Sequence, residues 1–210
     1  TGQEVTLTFR PAPENHGFKF RRVDLPGQPT IDADADFVTD TSRGTTLEHN
    51  GVKVSTVEHA LAALTGMDLD NVLIDLDCVE TPILDGSSGL YIEALRKAGI
   101  VEQNAERKYY KVTEVLRFSD PDKKVELLIL PDDTYKVSVM IDYDTKVLGT
   151  QNAHLSHISD FATEIGNCRT FVFLHEREYL IQNNLIKGGD LSNAIVFVNR
   201  LIDQDELDRL

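Results

Sequence analysis

The residues best equipped for chemistry stand in one short string, Ser55-Thr56-Val57-Glu58-His59. A glutamate and a histidine side by side at the start of a helix have two readings. In the first, Ser55 and Glu58 form an S-x-x-E capping box. Glu58 then reaches back to the N–H of Ser55, and His59 is an ordinary polar residue. In the second, the positive end of the helix dipole disfavours imidazolium and keeps His59 neutral, able to bind a cation. A zinc ion held there lowers the pKa of its water toward neutrality, and the adjacent carboxylate takes the proton. Two residues alone leave both readings open.

These residues must be positioned by their elements. The spacing predicts a helix over residues 55–66, with Ser55 as N-cap, an apolar stripe of Ala60, Leu61 and Leu64, and Gly66 as its stop. Before it, strands are expected over 4–10 and 18–23 and around 45–47, with Asn50-Gly51 as a hairpin turn. After it come a buried-type strand over 71–76, a turn at Asp85-Gly86 and a helix over 88–98 ended by Gly99. The charged segment 102–108 reads as a linker. Beyond it, 109–118, 125–130 and 135–143 suggest an antiparallel meander, Pro131-Asp132-Asp133 turning between the last two. Helix is expected over 158–165 and 175–184, strand over 169–173 and 194–198, and an acidic helical tail from Asp203.

The other histidines are His16, His49, His154, His157 and His175, and all five are assigned to polar surface or capping roles. His154 and His157 have a spacing that would suit a helical ligand pair, but 151–156 reads as extended. Cys78 and Cys168 lack CxxC spacing and are expected to be buried, reduced thiols of a cytosolic protein. The 210 residues carry a formal net charge of −14, a field that repels nucleic acid and anionic membranes. No apolar run reaches the roughly 18 residues of a membrane helix, so stable membrane insertion is not expected.

Longer strings decide between the two readings. Gly51-Val52-Lys53-Val54-Ser55-Thr56-Val57-Glu58-His59, Asp70-Asn71-Val72 and Pro82-Ile83-Leu84-Asp85-Gly86-Ser87 resemble the UDP-3-O-acyl-N-acetylglucosamine deacetylase family. Ile141-Asp142-Tyr143-Asp144, Gly149-Thr150-Gln151, Arg169-Thr170-Phe171 and Lys187-Gly188-Gly189 match it in the same order, so the resemblance spans essentially the whole chain.

The resemblance implies an α+β fold of two similar domains, 1–103 and 108–210, each a mainly antiparallel sheet packed on helices, with the active site between them. It implies a cytoplasmic zinc enzyme of lipid A biosynthesis whose partner is UDP-3-O-acyl-N-acetylglucosamine. It assigns Glu58 as general base, His59 as metal ligand, Thr170 as an oxyanion donor and Phe171 as an aromatic beside the substrate. Residues 172–198 correspond to an insert that forms the acyl passage, with Ile195 and Phe197 among its lining and Lys187 offered to the diphosphate. The family's two further ligands, in an H-x-x-x-D helix, have no counterpart here, since no histidine follows His175. The expectation is a trimmed portion of a longer enzyme, inactive by itself, with a hydroxyacyl carrier-protein dehydratase as a further fused half in some members. The alternative is a non-catalytic domain of the same fold that binds nucleotide-sugar or acyl ligand.

Overall fold

Alternating apolar residues build the first sheet. In a computed structural model, which describes residues 2–42, 44–176, 190–201 and 203–209, strands β1 (Leu7–Pro11), β2 (Phe18–Arg22) and β3 (Thr30–Asp32) are joined by β7 (Val72–Leu76). Their order is β1-β7-β2-β3, with β2 and β7 parallel and the other pairs antiparallel. Phe20, Ile31, Val72, Ile74 and Leu76 point inward from alternate positions and are buried. On the outer face the same register sets Thr8, Asp75 and Arg21 side by side. Arg21 grips Asp75 through Nε at 2.6 Å and Nη2 at 2.9 Å, and Arg10 donates to the same carboxylate.

A second sheet of β4 (Val38–Asp40), β5 (Thr46–His49) and β6 (Val52–Ser55) follows, wholly antiparallel. Its hairpin turns at Asn50 (φ 50°) and Gly51 (φ 78°), as that dipeptide predicts.

Helix α1 (Glu58–Gly66) buries Ala60, Ala63 and Leu64, and α2 (Gly89–Ala98) buries Tyr91, Ile92 and Leu95, each at helical spacing against the first sheet's core. Gly99, at φ 83°, ends α2 as expected. Full burial of a side chain such as Leu64 or Ile74 contributes roughly 1.5–3 kcal/mol.

The second half is built from pairs of strands. β8 (Leu116–Asp120) pairs with β9 (Val125–Ile129), and β10 (Val137–Asp142) with β11 (Thr150–Leu155), as two separate antiparallel hairpins. The expected continuous meander is therefore corrected. Pro131 has no N–H for a ladder, and Asp132 folds the next residues into a turn by accepting from Thr134 N–H at 3.0 Å. The expected strand over 109–118 shortens to β8; Tyr109 and Tyr110 are exposed and belong to no described strand.

Beyond β11, a 3-10 turn (Ile158–Asp160) leads into the short helix α3 (Phe161–Glu164), which packs on α1. The ring of Phe161 fits because residue 66 is glycine; a Cβ there would sit 2.0 Å from Phe161 Cδ1. β12 (Phe171–Phe173) and β13 (Ile195–Phe197) form a parallel pair, and Gln204–Arg209 is a final helix. The molecule is thus α+β with mainly antiparallel sheets, as the sequence implies. No helix among the described residues is long and apolar enough to cross a membrane.

Candidate active site

Residue 55 does not cap α1, contrary to expectation. Ser55 is the last residue of β6, where its N–H donates to Val79 O at 2.8 Å and its Oγ accepts from Thr46 Oγ1 at 3.0 Å. Those partners hold it extended, and the capping position passes to Val57, which makes no side-chain cap. Between strand and helix the chain turns at Thr56, whose φ of 59° lies in the left-handed region. For a β-branched residue that conformation costs roughly 1–2 kcal/mol.

Glu58 and His59 occupy the first turn of α1. Glu58 is exposed, and its Oε1 accepts from the Thr45 N–H at 2.5 Å instead of reaching back to Ser55. The capping-box reading fails on this contact. His59 is half-buried, and burial pushes its imidazole below the ordinary value, against the charges of Glu58 and Asp85, which push it up. Its ring nitrogens make no hydrogen bond to any described residue. A neutral, unengaged imidazole beside an exposed carboxylate is the donor chemistry a zinc ligand requires.

Thr170 precedes β12, and its backbone is fixed from both sides. Its N–H donates to Gly86 O at 2.7 Å and its carbonyl accepts from Ile195 N–H at 3.0 Å. Its hydroxyl has no partner among the described residues. The loop that holds it also holds His59, because Ser88 Oγ donates to His59 O at 3.0 Å. Residues 85–88 therefore join the helix bearing His59 to the segment bearing Thr170, just before β12.

Asp85 shapes this loop by accepting from Ser87 N–H at 3.0 Å and Ser87 Oγ at 2.8 Å, the turn role expected of it. Arg169 clamps it, donating from Nε to Asp85 O at 2.6 Å and from Nη2 to Leu191 O at 3.0 Å. Gly86, at φ 83°, has no space for a side chain, since a Cβ would stand 2.1 Å from Asn193 O and 3.2 Å from Thr170 Cγ2. The sequence reading missed Ser88 and Arg169 as positioning groups. Arg169 lay inside a noted motif, whereas a serine at a helix start carries no signal beyond capping.

Phe171 sits in an aromatic cluster, edge-on to Tyr143 and to Phe197 at 5.4 Å each and to Phe173 at 5.8 Å. Ile195, on the neighbouring strand, is 40% exposed. Lys187, like Leu180, Ile181 and Ile186 of the expected acyl passage and most of the expected helix over 175–184, lies outside the described residues. A cavity of about 380 Å³ lies elsewhere, between α1 and the β10–β11 hairpin, lined by Leu61, Val139, Leu155 and Phe161 among others, and neither His59 nor Thr170 borders it.

Of the remaining histidines, His154 bonds Ser138 Oγ at 2.6 Å and His16 contacts Gly17 O at 3.0 Å, whereas the exposed His49 and His175 pack on Phe37 and Phe173, and His157 precedes the 3-10 turn without a side-chain cap. Both cysteines are free, but Cys168 is exposed, which corrects its expected burial; it lies in the turn after α3, its N–H donating to Ile165 O at 2.8 Å. No cluster of three or more histidine, cysteine, aspartate or glutamate side chains able to hold a metal occurs among the described residues. His59 thus fits a metal as one ligand, and a complete tetrahedral set needs donors from elsewhere.

The family model for UDP-3-O-acyl N-acetylglycosamine deacetylase (LpxC) matches residues 1–209. The chain belongs to this family. It is 49% identical over 210 residues to the bifunctional enzyme LpxC/FabZ of Porphyromonas gingivalis, covering 100% of this chain and 46% of that protein. The namesake of Bacteroides thetaiotaomicron is 46% identical over the same span, again with 46% of its own length covered. The UDP-3-O-acyl-N-acetylglucosamine deacetylase of Saccharophagus degradans is 42% identical over 211 residues, covering 99% of this chain and 69% of that relative. The chain therefore spans about half the length of the bifunctional deacetylase relatives and about two thirds of the single-function one.

Proposed function

We propose that the protein containing this chain hydrolyses the N-acetyl amide of UDP-3-O-acyl-N-acetylglucosamine, releasing acetate, in the cytoplasmic assembly of lipid A. The observation that carries the reading is the loop 85–88, which holds both the neutral His59 and Thr170 while Glu58 stands exposed beside the histidine. Membership of the deacetylase family supports it.

His59 is one ligand of a zinc ion, and donors outside the described residues complete the set. The ion, when bound, supplies Lewis acidity to water and to the amide carbonyl. Glu58 accepts the proton that water loses as its oxygen bonds to the carbonyl carbon. The Thr170 hydroxyl donates to the carbonyl oxygen as negative charge grows on it. Return of the proton to nitrogen releases the free amine as the C–N bond breaks, so water and amide give acetate and amine.

Phe171 stands beside the substrate, Ile195 and Phe197 contact the acyl chain in an insert spanning 172–198, and Lys187 faces the diphosphate. The same reading divides the chain into two domains at 103–108, with the reacting groups at their junction. Fusion to a dehydratase half is part of this reading, supported by two relatives that are bifunctional LpxC/FabZ enzymes. The test is acetate release from the UDP-sugar by the full-length gene product, abolished by a zinc chelator and restored by zinc. Tight binding of the UDP-sugar without acetate release would instead support a non-catalytic binding domain.

A further inference from the structure

We infer that Glu80 and Thr81 are positioning residues that hold the elbow at Thr56 in its left-handed conformation and thereby aim the Glu58–His59 pair. The inference deepens the proposed hydrolase reading and rests on it for its catalytic consequence.

The chain leaves β6 extended and enters α1 within two residues, and a threonine, not a glycine, makes the turn at φ 59°. A β-branched residue stays in that region only when its surroundings over-determine it. Here they do. The Thr56 hydroxyl donates to Glu80 Oε1 at 3.1 Å, and the Thr56 carbonyl accepts from Thr81 Oγ1. The backbone on either side of that segment is paired as well: Ser55 N–H donates to Val79 O at 2.8 Å, and Thr81 N–H to Ser55 O at 3.1 Å. Thr81 is 3% exposed, so its hydroxyl has little access to water as an alternative partner.

Among the described residues, no hydrogen bond joins the Thr81 side chain to the Glu58 carboxylate or the His59 ring, so its effect on them travels through the backbone. The body of α1 is anchored independently by Ala60, Ala63 and Leu64 in the core. Release of the elbow therefore moves the first turn, where Glu58 and His59 stand, and leaves the rest of the helix in place. Opposite the clamp, Thr45 meets the same turn, its carbonyl 3.5 Å from Val57 N and its N–H on Glu58 Oε1. The carboxylate is held in one pose only while the elbow keeps its shape. Misplacement of a catalytic group by an ångström is enough to slow a reaction substantially.

The test uses Thr81→Val, which keeps shape and loses the hydroxyl, and Thr81→Ser, which keeps the hydroxyl, in the full-length gene product. The expected result is a roughly tenfold lower kcat for Thr81→Val with KM within threefold of the parent, and recovery to within threefold in Thr81→Ser. Crystal structures of both variants supply a readout independent of turnover. Residue 56 should leave the left-handed region and Glu58 should lose its Thr45 contact in Thr81→Val alone. An unchanged kcat with a lower Tm, or an unmoved first turn, overturns the inference. If Thr81→Val does not fold, Glu80→Ala, at a half-buried position, is expected to show the same loss, with Glu80→Gln restoring it. A parent without acetate release refutes the hydrolase reading, and the crystal structures still decide whether the elbow aims the pair.

Discussion

Glu58 offers the sharpest test at the scale of single residues. Its carboxylate is exposed at the first turn of α1 and accepts one backbone N–H, from Thr45, and among the described residues its second oxygen has no hydrogen-bond donor. Glu58→Gln keeps that acceptor and removes the basicity. In the full-length gene product, turnover should fall by about two to four powers of ten while KM and Tm stay near the parent values. A Tm loss with turnover intact would return Glu58 to a purely structural role. At the same scale, Ser88 and Gly86 explain why an unremarkable turn matters: the Ser88 hydroxyl holds the carbonyl of His59 and the Gly86 carbonyl holds the N–H of Thr170.

Two elements carry predictions of their own. On the outer face of the first sheet, hydrogen bonds from Arg21 and then Arg10 hold Asp75 below the usual carboxylate range against the cost of its partial burial. A carboxyl whose folded pKa is depressed contributes stability that is present above its unfolded value of about 4 and is lost as pH falls through the folded value. Asp75→Asn should therefore lower Tm at pH 7, and the gap to the parent should narrow in a Tm–pH series as pH falls below the unfolded value of about 4 and through the depressed folded one. The parallel pair β12–β13 carries the second prediction. Phe197 packs edge-on to Phe171, and Ile195 is partly exposed beside it. Replacing Phe197 by serine should raise KM for long-chain substrates more than for short-chain ones, because each buried methylene lost is worth about 0.8 kcal/mol. Equal effects on both would make these residues ordinary core.

For the molecule as a whole, metal loading carries the prediction. Zinc sites draw on three or four protein donors, and the described residues assemble no group of three. The 210-residue chain by itself is expected to retain substoichiometric zinc after dialysis and to release no acetate, as read by metal analysis beside an acetate assay. Stoichiometric zinc with turnover would show that His154, His157, His175 or a carboxylate completes the site. The second half also presents Phe118, Leu127 and Met140 to solvent on strands β8, β9 and β10. Relatives of greater length match the same span.

What the sequence by itself determined was local. The Asn50-Gly51 hairpin, the body of α1, the stop of α2 at Gly99 and the strand β7 were all legible, because turn chemistry and apolar periodicity are set by neighbouring residues. So were Glu58, His59 and Thr170 as candidates, through ordered motifs. Tertiary structure decided the rest, since hydrogen bonds between distant segments outweigh local propensity. Ser55 reads as a helix cap in isolation, and pairing with Val79 makes it strand instead. Thr56 is driven into the left-handed region by partners at Glu80 and Thr81 that no local pattern announces. The meander separates into two hairpins because Pro131 and the Asp132 turn interrupt the ladder. The tie between His59 and Thr170 runs through the Gly86 carbonyl and the Ser88 hydroxyl, and only the folded chain brings those groups within hydrogen-bonding distance of their partners.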